Sequence, residues 1–249
     1  MFAIWSGQLH RATQDLDFLS SGAVDVAAVE HVFQEICRTP VEDDGLQFVE
    51  SSVRADKTRD DQQYEGLRVQ LAARLGAARI PLQVDIGFGD AITPGPIEAV
   101  LPTLLDFPAP QIASYPRETA IAEKFQAMVM LGLANSRMKD FYDLWYLAQQ
   151  FSFDGETLSR AIEATFSRRK TRLPTETPFA LTSGFTQHLD KQKQWAGFLK
   201  KTRLPASTMS LDEIAPMLVE FLMPPTLALV RGEHFNDRWV AAGSWQLSS

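Results

Sequence analysis

Cysteine is almost absent from this chain of 249 residues, because Cys37 is its only one. A single thiol excludes an intrachain disulfide and a cysteine-based zinc site, and it suits a reducing compartment. The four histidines are scattered, without the mutual spacing of metal ligands. The sequence also lacks a Gly-x-Ser-x-Gly elbow, a P-loop and a Cys/His nucleophile arrangement. These absences remove several of the commonest classes of enzyme.

Long apolar runs are missing as well, so the sequence predicts no membrane-spanning helix and no membrane partner. The first residues, MFAIWSG, lack the basic start and the cleavage site of a secretory signal. We therefore expect a cytoplasmic protein. Its hydrophobic content of 45% is ordinary for a globular chain with a sizeable core.

Charge is unevenly distributed along the chain. Residues 117–203 carry 14 Lys/Arg and 9 Asp/Glu, a balance of +5, whereas the remainder carries −12 within the total of −7. One interpretation is an acidic part that holds metal joined to a basic part that holds polyphosphate or nucleic acid. The alternative is that both parts are ordinary solvated surfaces.

The order of the patterns predicts an α+β chain, with a front domain over 1–112 and a helical domain over 113–249. Alternating polar and apolar residues predict front-domain strands at 14–19, 47–53, 67–71 and 80–86, and the charged segment 54–63 is expected to be a loop or a hairpin tip. A helix is predicted at 24–37, with an apolar stripe formed by Val26, Val29, Phe33 and Ile36. A proline-rich connector covers 93–116. Helices are expected at 117–133, 136–150, 154–168, 184–201 and 210–222, the last ended by two prolines, 224 and 225.

Two carboxylates in the first predicted strand are the leading candidates for a metal site. Asp15 and Asp17 point to the same face, because side chains alternate along a strand, and Leu16 and Phe18 should then face a core. Adjacent carboxylates repel unless a cation lies between them, and Mg²⁺ commonly binds one or two carboxylates plus substrate phosphates. Asp85 is the one carboxylate on the polar face of the 80–86 strand. The alternative interpretation of the Asp-x-Asp triplet is a polar strand edge or a turn.

Lys124 and Asp140 lie on consecutive predicted helices that are joined by a short turn. Helices joined so briefly pack side by side, which brings the two side chains to a similar height. The alternatives are an exposed Lys124 paired with Glu123, and an Asp140 that only forms a salt bridge on the helix surface with Arg137. Lys139 and Asp143 are spaced as an i, i+4 pair on another face of the same helix.

Four sequence blocks in this order resemble the AbiEii/AbiGii family of nucleotidyltransferase-like toxins, which belong to type IV toxin–antitoxin and abortive-infection systems. The blocks are HRATQDLDFL at 10–19, VDIGFGD at 84–90, YPRETAIAEK at 115–124 and SRMKDFYDL at 136–144. The resemblance runs from residue 1 to about residue 224. No single block is specific, but their order is.

The resemblance implies a DNA polymerase β-like nucleotidyltransferase fold with a C-terminal helical domain. It implies an NTP donor with Mg²⁺ (or Mn²⁺), an RNA acceptor that is tRNA in some members, and a cognate antitoxin. The implied catalytic residues are Asp15, Asp17, Lys124 and Asp140, and the implied metal ligands are Asp15, Asp17 and Asp85. For substrate binding we expect Lys124, Arg137 and Lys139.

One departure from the family leaves alternative functions open. In the family a Gly-Gly or Gly-Ser/Ala loop and a helix precede the aspartate pair, whereas this sequence starts at Met1, within that helix. We expect either a start codon further upstream or the loss of a phosphate-binding element. The alternatives to RNA modification are therefore an inactive relative that acts as a binding or regulatory protein, and nucleotide transfer to a protein side chain.

Overall fold

The structure, a computed structural model, describes residues 4–5, 16–20, 22–58, 66–89, 91–103, 106–202 and 209–247. Its contacts divide the chain into two compact units, one formed by Ala12–Asp90 and the other by Met1–Arg11 with Ala91–Ser249. The division therefore follows Asp90, whereas the sequence predicted it at 112. The segment between belongs to the second unit because Thr93 and the side chain of Thr119 exchange two hydrogen bonds, of 2.8 and 3.0 Å.

A four-stranded sheet forms the first unit. Its strands are β1 (Leu16–Ser20), β2 (Leu46–Thr58), β3 (Gly66–Leu75) and β4 (Ala78–Phe88), and one helix, α1 (Val26–Arg38), lies between β1 and β2 in sequence. The strand order is β1-β4-β3-β2, with β1 parallel to β4 and the other pairs antiparallel. Strands with a helix confirm the mixed α+β class expected from the sequence.

Helix α1 covers part of the apolar face of this sheet. Asp25 caps its start by accepting a hydrogen bond from the backbone N–H of Ala28 at 3.1 Å. The helix packs Val26, Val29 and Phe33 against a sheet core formed by Val53, Ala55, Leu67, Val69, Val84 and Ile86. Ile36, which the helical spacing also placed in this stripe, is 55% exposed. The helix therefore turns a narrower face to the sheet than the sequence predicted.

Strand β2 is longer than predicted. The segment from Arg54 onward, expected as a charged loop, continues the strand to Thr58 with Val53 and Ala55 buried between exposed polar residues. A register shift separates the pairs made by Val49 and by Arg54, which marks a β-bulge. Ser52 holds the bulge, since its hydroxyl donates to the Val49 carbonyl at 2.5 Å and accepts the Ala72 N–H at 2.9 Å.

The second unit is mainly helical. Its longer helices are α2 (Arg117–Leu131), α3 (Met138–Gln150), α4 (Gly155–Arg168), α6 (Leu189–Thr202) and α7 (Leu211–Arg231), with a single turn α5 (Ser183–Thr186) and 3₁₀ turns at Gly132–Ala134 and Phe179–Leu181. Its strands are the hairpin β5 (Ile97–Val100) and β6 (Gln111–Ser114), and the two-residue strands β7 (Phe153–Asp154), β8 (Arg238–Trp239) and β9 (Trp245–Gln246). The region after residue 112 is thus less purely helical than predicted.

Aromatic side chains dominate the core of this unit. The rings of Phe221 and Trp239 lie 4.8 Å apart, and Phe125 and Phe166 lie 5.5 Å apart. Two predicted helix starts are confirmed. Asp154 accepts the Thr157 N–H at 2.8 Å, and Ser210 forms a reciprocal capping box with Glu213.

Helix α7 continues through the two prolines that were expected to end it, so that prediction was wrong. Pro225 has no N–H to donate to the Phe221 carbonyl four residues earlier. The indole Nε1–H of Trp245 donates to that carbonyl instead, at 3.1 Å. Buried packing and this external donor both stabilise the helix, which extends to Arg231.

Helix α7 is long and apolar enough to cross a bilayer, so the prediction that the sequence contains no such run was wrong. Leu211–Arg231 has 21 residues and a window of mean hydropathy 1.4, which meets the criteria of length and composition. Half of that window is buried inside the unit, and residues such as Leu218 and Phe221 are fully enclosed. The apolar sequence is therefore accounted for by the protein core that it helps to form.

Replacing Trp245 with phenylalanine should lower the free energy of unfolding by about 1–2 kcal/mol, because it removes the indole donor of the Phe221 carbonyl, which Pro225 leaves without its usual helical N–H. Chemical denaturation measures this cost. In a Pro225→Ala background, residue 225 regains an N–H for the same carbonyl, so the cost of Trp245→Phe should fall markedly. An equal cost in both backgrounds would show that ring packing, and not the hydrogen bond, carries the effect.

Candidate functional site

Two of the predicted carboxylates lie side by side on the sheet of the first unit. Asp17 on β1 and Asp85 on β4 are register partners in a parallel pair, so their side chains share the face opposite α1. Neighbouring strands are about 4.8 Å apart, which places the two carboxylates next to each other. Asp15 lies outside the described residues.

The side chains on the other face of β1 are not buried, although the sequence predicted that they would be. Leu16 and Phe18, expected to face a core, are 51% and 52% exposed. Strand β1 is at the edge of the sheet, and α1 contacts chiefly β2 at the opposite edge. The helix therefore leaves the apolar side chains of β1 uncovered.

An arginine that the sequence analysis missed holds Asp85. Arg68, its register partner on β3, donates from Nε and Nη2 to the two carboxylate oxygens at 2.7 and 3.0 Å, and Gln83 donates to Oδ2 at 3.3 Å. A bidentate arginine is a strong partner for a carboxylate. Arg68 could be recognised only from the register of β3 against β4, because it lies 17 residues away in sequence.

The carboxylates on this face suit an open divalent-cation site at Asp17 better than a closed site in which three carboxylates surround the ion. Within the described residues no group of three or more histidine, cysteine or acidic side chains has the geometry of a metal site. Asp17 is exposed and has no ion-pair partner in the described part of the chain. Mg²⁺ commonly takes one or two carboxylates and completes its shell with water and phosphate oxygens, which such an open pair permits.

Lys124, Asp140 and Asp143 form a buried ionic cluster in the second unit. The Lys124 ammonium lies 3.0 Å from Oδ1 of Asp140 and 3.0 Å from Oδ2 of Asp143, and both aspartate side chains are fully buried. Arg137 Nε approaches the other oxygen of Asp140 at 2.7 Å, while its own side chain is 47% exposed. The short connection between α2 and α3 thus brings Lys124 and Asp140 together, as the sequence predicted.

Asp143 is the residue of this cluster that the sequence analysis assigned wrongly. It was paired with Lys139 on another face of the helix, but it contacts Lys124, and Lys139 is exposed. The spacing of Asp140, Asp143 and Leu147 is that of one buried face, which was the available signal. The alternative of an exposed Lys124 paired with Glu123 is also wrong, because the lysine is largely buried against Asp140 and Asp143, and Glu123 lies 3.4 Å from Arg169.

The surroundings of Lys124 act on its pKa in opposite directions. Burial lowers the pKa, because it penalises the charged ammonium, whereas the two carboxylates, Asp143 first, raise it by attraction and hydrogen bonding. The attraction prevails, so the pKa of Lys124 lies above its ordinary value of 10.5. The cluster therefore retains a positive lysine at neutral pH.

The start of α3, which carries Arg137 and Asp140, is fixed by a buried lysine. Lys191, only 5% exposed, donates from Nζ to the Asn135 carbonyl at 2.9 Å. The Asn135 side chain in turn accepts the backbone N–H of Arg137 at 2.9 Å. These contacts hold the connection between α2 and α3 in one conformation, and with it the first turn of α3.

Comparisons with known proteins agree with the sequence resemblance. The family model of the nucleotidyl transferase AbiEii toxin, type IV toxin–antitoxin system, matches residues 1–215. No curated protein matches the chain significantly.

Two solved structures from Helicobacter pylori are similar to this one. JHP933 is 16% identical, with a TM-score of 0.45, over 90% of this chain and 80% of its own. A candidate nucleotidyltransferase is 17% identical, with a TM-score of 0.46, over 94% of this chain and 88% of its own. The family match covers most of the 249 residues. The chain therefore belongs to the AbiEii family of nucleotidyl transferase toxins of type IV toxin–antitoxin systems.

Proposed function

We propose that this protein transfers a nucleotide from an NTP to an RNA acceptor, tRNA being the leading candidate, with Mg²⁺ or Mn²⁺, and that its first unit has a DNA polymerase β-like nucleotidyltransferase fold. The observation that carries the proposal is the pair Asp17 and Asp85, side by side on adjacent parallel strands, in a chain of this family. Because Arg68 already pairs with Asp85, the exposed carboxylate of Asp17 is the one that remains available to a cation.

Asp17 and Asp85, with Asp15, are the residues that would hold the metal. When bound, a divalent ion neutralises phosphate charge and lowers the pKa of an attacking hydroxyl. Asp17 offers an exposed carboxylate to the ion. Arg68 keeps the Asp85 carboxylate oriented, since a bidentate partner fixes both oxygens. In this proposal Asp85 contributes negative charge to the site while Arg68 limits repulsion from Asp17.

The cluster around Lys124 is proposed to handle the phosphates of the donor. Lys124 and Arg137 supply two positive charges, and Asp140 and Asp143 balance them, so the group is neutral without substrate. Arg137, nearly half exposed, and Lys139, exposed on the same helix, are the cations that a phosphate reaches first. Asp140 orients both Lys124 and Arg137, because each of its oxygens contacts one of them.

The family also implies a protein partner. Members of a type IV toxin–antitoxin system are encoded with an antitoxin, so a cognate antitoxin is expected for this chain. The donor NTP and the RNA acceptor are the finer elements of the proposal, and they require direct measurement.

The test is to incubate the protein with each of the four α-labelled NTPs, Mg²⁺, total RNA and a protein extract, and to separate the products. Label in RNA that depends on one NTP, and that EDTA abolishes, is the expected result. Label in a protein band would replace the RNA acceptor by a protein side chain. No label with any NTP, with Mg²⁺ or with Mn²⁺, would contradict the transferase proposal and favour a binding or regulatory protein.

A further inference from the structure

Two arginines of like charge face each other at the far end of the same sheet. Arg74 on β3 and Arg79 on β4 are register partners, two residues from the turn that Gly76 makes with a φ of +56°. Both are exposed, and neither has an ion-pair partner in the described ranges. Like charges directly opposite in an antiparallel pair are destabilising. A bound anion would relieve the repulsion that the sheet otherwise tolerates.

Side-chain alternation places both arginines on the face that carries Asp85. Arg79 is six residues from Asp85 along β4, and Arg74 is six residues from Arg68 along β3. Even spacing keeps each pair on one face of the sheet. At about 3.3 Å per residue, the arginines lie ~20 Å along the strand from the carboxylates.

A hollow of about 750 Å³ adjoins Arg79 on this face. Its polar walls are Ser52, Arg54, Gln70 and Gln83, and none of its described lining residues is acidic. Ser52 and Arg54, at the β2 bulge, line this hollow. Arg54 is held in place because its Nη1 donates to the Val53 and Ser51 carbonyls at 2.5 and 3.3 Å. Bulges commonly occur beside functional sites, where they redirect side chains.

The chemistry of these side chains suits a nucleic-acid strand. Guanidinium groups recognise phosphate oxygens, and carboxamides both donate and accept, as the edges of bases require. Gln70 and Gln83 are register partners, so two carboxamides stand together between the arginines and the carboxylates. The chain as a whole is acidic, with a net charge of −7, so this cationic group is a local feature.

We propose that Arg54, Arg74 and Arg79 bind phosphates of the acceptor RNA and that Gln70 and Gln83 contact its bases. The identification of the anion as an RNA acceptor rests on the proposed function. The five side chains form a track along the sheet that leads to the carboxylate pair. A strand bound on this track is directed toward Asp17 and Asp85.

The test measures binding of a fluorescein-labelled, unstructured oligoribonucleotide over a range of salt concentrations. Each phosphate contact to a single strand contributes about −0.7 to the slope of log K against log salt. The double variant Arg74→Gln/Arg79→Gln should therefore flatten the slope by about 1.4 and weaken binding on the order of tenfold at low salt. Arg160→Gln, which removes one positive charge at an exposed site on α4, should leave the slope unchanged.

Several outcomes overturn the inference: no RNA binding by the parent protein, a slope that is unchanged in the double variant, or an equal change in Arg160→Gln. Misfolding is checked by melting temperature, which should not fall, because the substitution removes a repulsion. If it falls, Arg79→Gln alone takes the place of the double variant, with a slope change of about 0.7.

The inference and the proposed function can fail separately. Asp17→Asn should bind the oligoribonucleotide with the parental slope while losing transfer. If the parent protein transfers no nucleotide but its RNA binding depends on Arg74 and Arg79, the RNA-binding track is supported and the proposed transferase activity is refuted. If transfer occurs and the double variant binds RNA and transfers nucleotide like the parent, the proposed transferase activity is supported and the RNA-binding track is refuted.

Discussion

Replacing Lys124 with methionine should lower the free energy of unfolding by about 3–5 kcal/mol, which is a large part of the stability of a typical domain. Methionine preserves most of the volume but leaves Asp140 and Asp143 as two buried carboxylates without their ammonium partner. Removing one partner of a buried ion pair costs far more than the pair itself contributes. Denaturant titration followed by circular dichroism measures the loss.

A neutral cluster is the matched control for this variant. Adding Asp140→Asn and Asp143→Asn to Lys124→Met removes the unpaired charges, so the triple variant should recover much of the lost stability. Lys139→Met, an exposed lysine on the adjoining helix, should change stability by no more than about 0.5 kcal/mol. Equal losses in the Lys124 and Lys139 variants would contradict a stabilising role for the cluster.

The same variant has an expected pH signature. Because the pKa of folded Lys124 is raised above its unfolded value, the stability that it contributes is complete below the ordinary value of 10.5. It is lost as the pH rises through the folded pKa. The stability difference between the parent and Lys124→Met should therefore stay constant from about pH 8 to about pH 10 and shrink above that.

Asp17→Asn should reduce nucleotide transfer on the order of 100-fold or more, with a melting temperature equal to or above that of the parent. Loss of outer-shell partners of a metal typically costs 10–100-fold, and loss of a direct ligand should cost at least as much. Stability should not fall, because Asp17 is exposed and the substitution removes its repulsion from Asp85. Incorporation of labelled nucleotide into RNA, measured under initial-rate conditions, checks this expectation.

Glu42→Gln is the control, since it removes one exposed negative charge from the same unit of the chain. Its transfer rate should match that of the parent. A further comparison is Asp85→Asn, whose carboxylate already has Arg68 as a partner, so that variant should lose both activity and some stability. Full activity in Asp17→Asn would refute the assignment of the metal to this edge of the sheet.

Local patterns in the sequence were sufficient to predict the positions of site residues that depend on one strand or one short connection. Strict alternation in β4 placed Asp85 on the polar face, and the brief turn after α2 predicted the contact between Lys124 and Asp140. The partner of Asp85 was not predictable in the same way. Arg68 depends on how β3 pairs with β4, and one residue of slippage would have turned it to the other face.

Tertiary contacts also overrode strong local signals. Taken alone, Pro225 predicts the end of a helix, because it lacks an N–H donor. The indole of Trp245, 20 residues further along the chain, supplies a donor in its place. Asp143 appeared to belong with Lys139, because a helical sequence offers several pairings at once and only packing selects among them. In both cases the deciding partner lies on a different element.

The hydrogen bond from Trp245 to α7 shows that the packed core of the second unit extends beyond the end of the family match. Similarity to the family ends at residue 215, within the second turn of α7, while the cooperative core runs on through Phe221, Trp239 and Trp245. A protein truncated after residue 215 would lose these aromatic side chains and expose a large apolar surface to solvent. Such a fragment should be found in inclusion bodies and be degraded quickly by proteases, so expression should extend at least through β9.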